Sequence, residues 1–181
     1  MANVAVYDMS HKQVGEIDLN DDFFNVEMNA GLLHQAVVLQ LASQRLGTHA
    51  TKTRGLVRGG GTVFGPHPRK YGFTMPRKQR RLALKCALSD KVRTGDFIVL
   101  ESLDFDAPKT KQAVKLLNDF GVDAKSLFIT ADEAVNVARS TSNIPGVKAI
   151  TAAGINVFDI LHHDKLFITK DAITRIEEVF A

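Results

Sequence analysis

A glycine-rich stretch, GLVRGGGTVFGPHPRK at residues 55–70, has residue types that could bind a phosphate group. A mononucleotide-binding loop needs G-x-x-x-x-G-K-[ST], in which the lysine reaches the β- and γ-phosphates and the hydroxyl holds Mg²⁺. Gly60 and Gly65 have the required spacing, but Pro66 and His67 stand where the lysine and the hydroxyl residue belong. The dinucleotide pattern G-x-G-x-x-G also fails, because no predicted strand leads into the glycines. The stretch is therefore not predicted to bind a nucleotide.

No other group of residues predicts catalysis or metal binding. His162, His163 and Asp164 are adjacent, but three neighbours at a helix end cannot all reach one ion, and we interpret them as a capping or surface cluster. The single cysteine, Cys86, lies in LALKCAL, which is typical of a small buried hydrophobic residue. The sequence thus indicates no enzyme, no metal and no cofactor. A nucleotide-dependent enzyme on a doubly wound sheet stays open as an alternative.

The positive charges are concentrated in one part of the chain. From Met28 to Ser89 there is no Asp or Glu, while eleven of the 23 Lys and Arg residues lie there. The rest of the chain contains twelve Lys and Arg residues and all twenty Asp and Glu residues, which gives it a net charge of −8. This asymmetry indicates a polyanionic partner, with nucleic acid as the first interpretation and an anionic membrane surface as the second. No apolar run approaches the roughly 18 residues that cross a bilayer.

The elements that hold this window are predicted from periodicity. Alternating apolar residues predict two strands in the first twenty residues, and an apolar helical pattern runs from Asn29 to a stop at Gly47. Residues 48–75 lack a sustained period and predict a basic, glycine-rich loop, after which Pro76 fits the first position of a new helix. The second half alternates apolar strands with helices. This pattern predicts a single α/β domain over residues 1–181, with three α/β/α layers around a mainly parallel sheet.

The start of the helix after Pro76 carries cations where a stable helix favours acidic residues. Cations at a helix N-terminus oppose the macrodipole by roughly 0.3–1 kcal/mol each, so either an anion binds there or flanking contacts offset the strain. In the loop, Arg and Lys are interleaved with His49, His67, Phe64 and Tyr71, which can stack on unpaired bases. The composition predicts nucleic-acid binding and leaves RNA and DNA open.

Four long stretches resemble the bacterial family of large-subunit ribosomal protein L four. They are VAVYDMSHKQVGEIDL, LASQRLGTHATKTRG, RGGGTVFGPHPRKYGFTMPRKQRRLALKCALSDK and NIPGVKAITAAGINVFDILHHDKLFITKDA, and together they span essentially the whole chain. The resemblance implies a structural RNA-binding protein of the cytoplasmic ribosome, with an α/β body and an extended loop that reaches the peptide exit tunnel. It implies large-subunit ribosomal RNA and neighbouring ribosomal proteins as partners. Some members also repress their own leader messenger RNA, so an mRNA-binding repressor is a further alternative.

The resemblance also assigns residues and reveals one departure. By position, His49, Lys52 and Arg54 match the stretch that enters the extension, and Arg58 and Gly59 to Gly61 match the stretch that leaves it. The residues that match the basic neck lying against RNA are Arg69, Lys70, Tyr71, Lys78, Arg80 and Arg81. Between KTRG and RGGG the family normally carries a further arm, whereas here only Leu56 and Val57 separate Gly55 from Arg58. We therefore expect a truncated loop, which puts the tunnel role in doubt. The residues expected to bind RNA are Arg45, His49, Lys52, Arg54, Arg58, Gly59, Gly60, Gly61, Arg69, Lys70, Tyr71, Arg77, Lys78, Arg80, Arg81 and Lys85.

Overall fold

A six-stranded sheet forms the centre of the molecule in the computed structural model, which describes residues 2–105 and 107–180. The strand order is β2-β1-β3-β6-β4-β5; β1 and β2 are antiparallel, and every other neighbouring pair is parallel. The strands are β1 (Ala2–Tyr7), β2 (Gln13–Leu19), β3 (Phe97–Leu100), β4 (Ser126–Thr130), β5 (Val147–Thr151) and β6 (Lys165–Thr169). The predicted mainly parallel sheet is confirmed. Positions 1, 106 and 181 of the predicted domain lie outside the described residues.

Helices cover both faces of the sheet, which confirms the predicted three layers. They are α1 (Asp21–Phe24), α2 (Ala30–Gln44), α3 (Arg77–Thr94), α4 (Thr110–Asp119), α5 (Val135–Thr141), α6 (Val157–His162) and α7 (Lys170–Phe180). Along β6, Leu166 and Ile168 join the core under α2, α3, α6 and α7, whereas Phe167 between them joins the core under α4 and α5. This alternation follows from the period of two in a strand. Because both faces are buried, apolar residues follow one another without alternation in the middle of these strands, as in Leu127–Ile129 and Leu166–Ile168.

Helix α2 leads into the predicted loop but ends before Gly47, so the predicted stop was three residues too late. The helix begins after Asn29, whose side chain accepts a hydrogen bond from the Leu32 N–H at 3.0 Å, and Arg45 follows it in an extended conformation. Gly47 has a φ of +65° and accepts a backbone hydrogen bond from the Arg69 N–H at 3.2 Å instead. The glycine therefore serves the loop rather than the helix end.

Helix α3 takes the chain from the loop back to the core. The helix begins at Arg77, one residue later than predicted, so Pro76 directly precedes its first residue. Gly95, with a φ of +72°, follows its last residue. Ala83, Leu84, Ala87 and Leu88 are buried against the sheet. Cys86 is also buried, as predicted, and its Sγ donates to the Glu27 carbonyl at 3.3 Å. The apolar side of α3 fixes its position, while its first six residues remain exposed.

Strand β5 ends earlier than the sequence predicts, and α6 ends at a capping histidine. The stretch VKAITAAG, residues 147–154, predicts one strand, but residues 152–154 form a 3-10 turn, so β5 ends at Thr151. His163 caps the C-terminal end of α6, which confirms the capping interpretation, and it is buried: its Nδ1 donates to the Asp159 carbonyl at 2.7 Å one helical turn back. No helix within the described parts of the chain is long and apolar enough to cross a membrane.

Candidate nucleic-acid interface

The eleven cations of the acid-free window lie in two adjoining parts of the structure. We call residues 45–76, between α2 and α3, the basic loop, and residues 77–85 the basic helix start. Every one of these cations is exposed except Lys85, which is half-buried. Leaving Arg81 aside, none of them forms an ion pair with any residue in 2–105 or 107–180. The window therefore presents positive charge to solvent with little internal neutralisation.

The basic loop folds back on itself through close backbone contact. Its incoming half runs beside its returning half, so that Gly61 lies against residues 52–54 and Gly65 lies against Thr51. A Cβ atom on Gly61 would come within 2.6 Å of the Arg54 nitrogen, and one on Gly65 would overlap the Thr51 side chain. At the end of the loop the Leu56 N–H donates to the Thr53 carbonyl at 2.9 Å, which closes a turn. These glycines are required because only a hydrogen fits between the two halves.

Four predicted RNA-binding residues meet where the loop joins the body. We call Arg45, His49, Arg69 and Tyr71 the base cluster. The Arg45 and Arg69 guanidinium carbons lie 3.8 Å and 4.5 Å from the centre of the Tyr71 ring. The Tyr71 hydroxyl is 2.6 Å from the Nε2 atom of His49, and the two rings are edge to face. Cation–π contacts of this kind contribute roughly 0.5–1 kcal/mol each at an exposed site. The cluster ties the end of α2 to the returning half of the loop.

The remaining loop residues lie beyond the base cluster. Lys52, Arg54, Arg58 and Lys70 are exposed, and Gly59 and Gly60 form part of the turn with positive φ angles of +96° and +126°. Because the two halves of the loop are in contact, the cations of both halves lie on one short arm. Like charges on one arm repel one another, so a bound anion would relieve an unfavourable interaction.

The basic helix start has the electrostatic mismatch that the sequence predicts. No acidic residue lies in the first turn of α3, and no side chain caps it. Arg77, Lys78 and Arg80 are exposed, and Arg81 is exposed but engaged in an interaction within the protein. Lys85 differs from these because its Nζ lies 3.9 Å from the centre of the Phe23 ring and so helps to hold α3 against α1.

A cleft of about 640 Å³ opens beside the basic helix start. Its walls come from α2, the start of α3, residues 155–157 at the start of α6 and the end of α7. Apolar side chains dominate the lining, with Phe73 at the approach from the basic loop and Arg77, Arg80 and Arg81 among the lining residues. Phe73 was missed in the sequence, where it is an isolated aromatic residue between Gly72 and Thr74 that has no periodic partner.

The groups with shifted pKa values lie in the body. Burial raises the pKa of Asp159, but hydrogen bonds from Lys148 and Asn156 outweigh it, so the pKa is lowered overall. Burial lowers the pKa of His163. Both residues stabilise α6 and its surroundings and do not face the basic loop. Within the described residues, no group of three or more His, Cys, Asp or Glu side chains could hold a metal ion.

Comparison with known proteins identifies related sequences over the whole chain. A sequence model of the family described as Ribosomal protein L4/L1 matches residues 17–62 and 55–179. Proteins called large ribosomal subunit protein uL4 are similar over the whole of both chains: the protein from Heliobacterium modesticaldum is 49% identical, that from Pelotomaculum thermopropionicum 47%, and that from Brevibacillus brevis 46%. These alignments have 207 positions against the 181 residues of this chain, so roughly 26 positions have no counterpart here.

The place of the missing positions follows from the family match. Residues 55–62 match twice, once at the end of the first matched segment and once at the start of the second. A chain that lacked an internal segment between two similar glycine-rich stretches would produce this overlap. The shortened loop expected from the sequence is therefore supported at residues 55–62, where the two matched segments overlap.

Proposed function

The chain belongs to the Ribosomal protein L4/L1 family, and on that basis we propose that its basic loop and basic helix start bind large-subunit ribosomal RNA. Its relatives are structural proteins of the large ribosomal subunit, so the chain has a structural role in the bacterial, cytoplasmic ribosome and is not an enzyme. This removes the alternative of a nucleotide-dependent enzyme. Neighbouring ribosomal proteins are further partners in that setting.

One observation carries the proposal for RNA: a window of 62 residues without a single acid has its cations exposed and, in the described chain, almost free of ion pairs. Binding of nucleic acid by such a surface is driven by contacts to phosphates and the release of counterions. The seven cations outside the base cluster that best fit this role are Lys52, Arg54, Arg58, Lys70, Arg77, Lys78 and Arg80. The close-packed glycines keep the arm thin, which suits insertion between RNA segments.

The base cluster has a different role in this proposal. Tyr71 already contacts two guanidinium groups and His49, so its ring is engaged within the protein. We infer that it orients the arm and holds Arg45 and Arg69 in place for phosphates, while base stacking falls to exposed aromatic residues. Phe64 is 97% exposed near the end of the arm and is the best placed of these.

Salt dependence tests the proposal directly. With seven phosphate contacts, the slope of log affinity against log salt concentration should lie between about −5 and −6 for a large-subunit RNA fragment. The variant Arg54→Gln with Arg58→Gln should reduce the size of this slope by about 1.5 to 2. The matched control is Lys111→Gln with Lys115→Gln, which removes two exposed cations from α4 and should leave the slope unchanged. A wild-type slope near zero, or equal effects of the two pairs, would contradict the proposal.

The exit-tunnel role of the loop depends on its length. The roughly 26 missing positions, folded as two antiparallel halves of 13 residues, would add an arm of about 40 Å at about 3.3 Å per residue. We propose that this chain keeps the RNA-binding base of the loop and has lost that reach. Inserting the corresponding segment of a relative between Gly55 and Arg58 should restore cross-linking from the loop end to a nascent peptide in assembled ribosomes. Cross-linking of equal strength from position 57 without the insertion would contradict this.

A leader messenger RNA would contact the same cations. A competition experiment measures whether the two RNAs share these cations. It uses a ribosomal RNA fragment and a leader fragment of the operon that encodes the chain. If the repressor role holds as well, the two RNAs should displace one another, and Arg54→Gln with Arg58→Gln should weaken both. Binding of the ribosomal fragment alone would remove the repressor role and leave the structural role.

A further inference from the structure

The cleft beside the basic helix start combines an apolar interior with cations at its edge. Met75, Leu84 and Ile155 are buried residues of its lining, and Leu39 and Phe180 are half-buried. Among the described residues, no acidic side chain lines it. A volume of about 640 Å³ falls within the range of pockets that hold small organic ligands. The cleft therefore has room and chemistry for a flat, apolar-faced group that carries a negative charge.

Phe73 supplies an aromatic surface at the approach to this cleft. Its side chain is 41% exposed although it belongs to the lining, so one part contacts the cleft and another faces solvent. Unlike Tyr71, it has no ring or cation partner among the described residues. An unengaged, half-exposed phenyl ring is the kind of surface on which unpaired bases stack.

Gln40 adds a hydrogen-bonding group from α2. Its Oε1 accepts a hydrogen bond from the Phe158 N–H at 3.3 Å, which fixes the orientation of the amide. The Nε2 group of the same side chain is left as a donor, and Gln40 lines the cleft. Amide donors of this kind pair with the oxygen and nitrogen acceptors on base edges.

The cations complete the match to a nucleotide. Arg77 and Arg80 belong to the lining and are exposed, and neither forms an ion pair in the described chain. Guanidinium groups bind phosphate through two parallel hydrogen bonds. A phosphate on these residues would place its attached base next to the apolar interior.

We propose that the cleft binds one unpaired nucleotide of the RNA, with its base against Phe73 and its phosphate on Arg77 and Arg80. This inference rests on the proposed function, since it assigns one specific position within the RNA-binding surface. It also separates two parts of that surface, because the arm binds phosphates of any RNA whereas the cleft requires a base that has left its helix.

The test compares a single-stranded RNA oligonucleotide with a duplex of the same sequence. Ser43 is exposed and lines the cleft, so Ser43→Trp should fill it without changing charge or removing a buried residue. We expect this variant to bind the single strand at least about 5-fold more weakly and the duplex unchanged, with the salt slope preserved. The matched control is Gln44→Trp, the next residue along α2, which is exposed and does not line the cleft.

A second variant and a direct readout keep the proposal testable if Ser43→Trp disturbs the fold. Phe73→Ser removes the exposed ring and should weaken binding of the single strand by a similar factor. The methyl signals of Met75, Leu84 and Ile155 in NMR spectra should shift when the single strand is added to the wild-type protein, and not when the duplex is added. Unchanged methyl signals, or equal single-strand binding by wild type and both variants, would overturn the proposal. The same signals shifting only with an acidic aromatic peptide would overturn it in favour of a protein partner.

These outcomes are distinct from failure of the proposed function. If the arm does not bind RNA, the salt slope of the wild-type protein disappears for both RNAs. If only the cleft proposal is wrong, the wild-type protein keeps its salt slope and the double variant Arg54→Gln, Arg58→Gln still has a smaller one. Ser43→Trp then binds both RNAs in the same way as Gln44→Trp.

Discussion

Replacing Asp159 with asparagine is expected to destabilise the protein by about 2 kcal/mol at neutral pH. The carboxylate is almost wholly buried, with 5% of the side chain exposed, and its Oδ2 accepts hydrogen bonds from Lys148 at 2.6 Å and Asn156 at 2.7 Å. Hydrogen bonds to a charged group contribute about 1.5–3 kcal/mol. The contribution of Lys148 is discounted to at most about 1 kcal/mol, because 49% of its side chain is exposed and water can replace the carboxylate.

Contacts at the start of α6 contribute to this value. Asn156 caps that helix by accepting the Asp159 N–H at 2.8 Å, and the Asp159 side chain accepts from the Asn156 amide in return. An asparagine at 159 keeps the shape and one acceptor but loses the charge, so about 1 kcal/mol of the charge-assisted bond from Asn156 is lost. Adding the discounted Lys148 contribution gives about 2 kcal/mol.

These contributions are measured by urea unfolding of four proteins: the wild type, Asp159→Asn, Lys148→Met and the double variant. We expect a coupling free energy of about 1 kcal/mol between positions 148 and 159. The hydrogen bonds lower the pKa of Asp159 despite its burial, so its stabilisation is present above the unfolded pKa of about 3.9 and is lost as the pH falls through the folded value. The difference between wild type and Asp159→Asn should therefore disappear at strongly acidic pH. A loss below about 0.5 kcal/mol at pH 7, or a difference that persists in acid, would refute the reasoning.

Three further predictions concern single residues of the body and the base cluster. Burial lowers the pKa of His163, so stability should fall as the pH drops below the unfolded value of about 6.5, and His163→Gln should flatten this dependence in urea titrations between pH 7 and 5. Tyr71→Leu removes two cation–π contacts and the hydrogen bond to His49, so exchange of the Arg69 amide hydrogen should accelerate roughly 5- to 30-fold, and less in Tyr71→Phe. Ser89→Ala leaves the Val26 N–H without its acceptor at 3.0 Å and should lower the free energy of unfolding by about 1–3 kcal/mol.

Each of these has a result that would contradict it. An unchanged pH dependence in His163→Gln would mean that another group titrates in that range. Equal exchange rates in the wild type and Tyr71→Leu would show that the base cluster does not hold the two halves of the loop together. If Ser89→Ala unfolds at the wild-type urea concentration, the hydroxyl does not link α3 to the segment after α1.

The sequence predicted the body well because its pattern is local. Strands such as Lys165–Thr169 are apolar in their middle positions, and the intervening helices have apolar residues at helical spacing, so strand, helix and layer follow from residues within one or two turns. The strand order was not predictable, because β6 pairs between β3 and β4 although it is last along the chain. The burial of His163 was missed for a similar reason, since its polar neighbours in sequence do not show what packs against it in space.

The candidate site divides in the same way. The excess of cations is a property of composition and was visible in the sequence, as was the loop between two helices. The base cluster joins Arg45 to Tyr71, and the cleft joins Gln40, Phe73 and Phe180. These residues are separated by 26 to 140 positions, so no periodicity relates them. The sequence therefore predicts what the surface would bind, and the structure adds which residues form its shape.

The position of the shortening explains how the base of the loop persists without its arm. The contacts that close the base, from Gly47 to Arg69 and from His49 to Tyr71, involve residues outside 55–62, the segment that matches the family twice. Because the two halves already run side by side at residues 51 and 65, an arm that extends both halves equally can be added or removed beyond them. The base contacts and the cations of the helix start would then be the same at either length. Loop length therefore changes how far the arm extends from the body, while the base contacts and the proposed RNA-binding cations of the helix start remain.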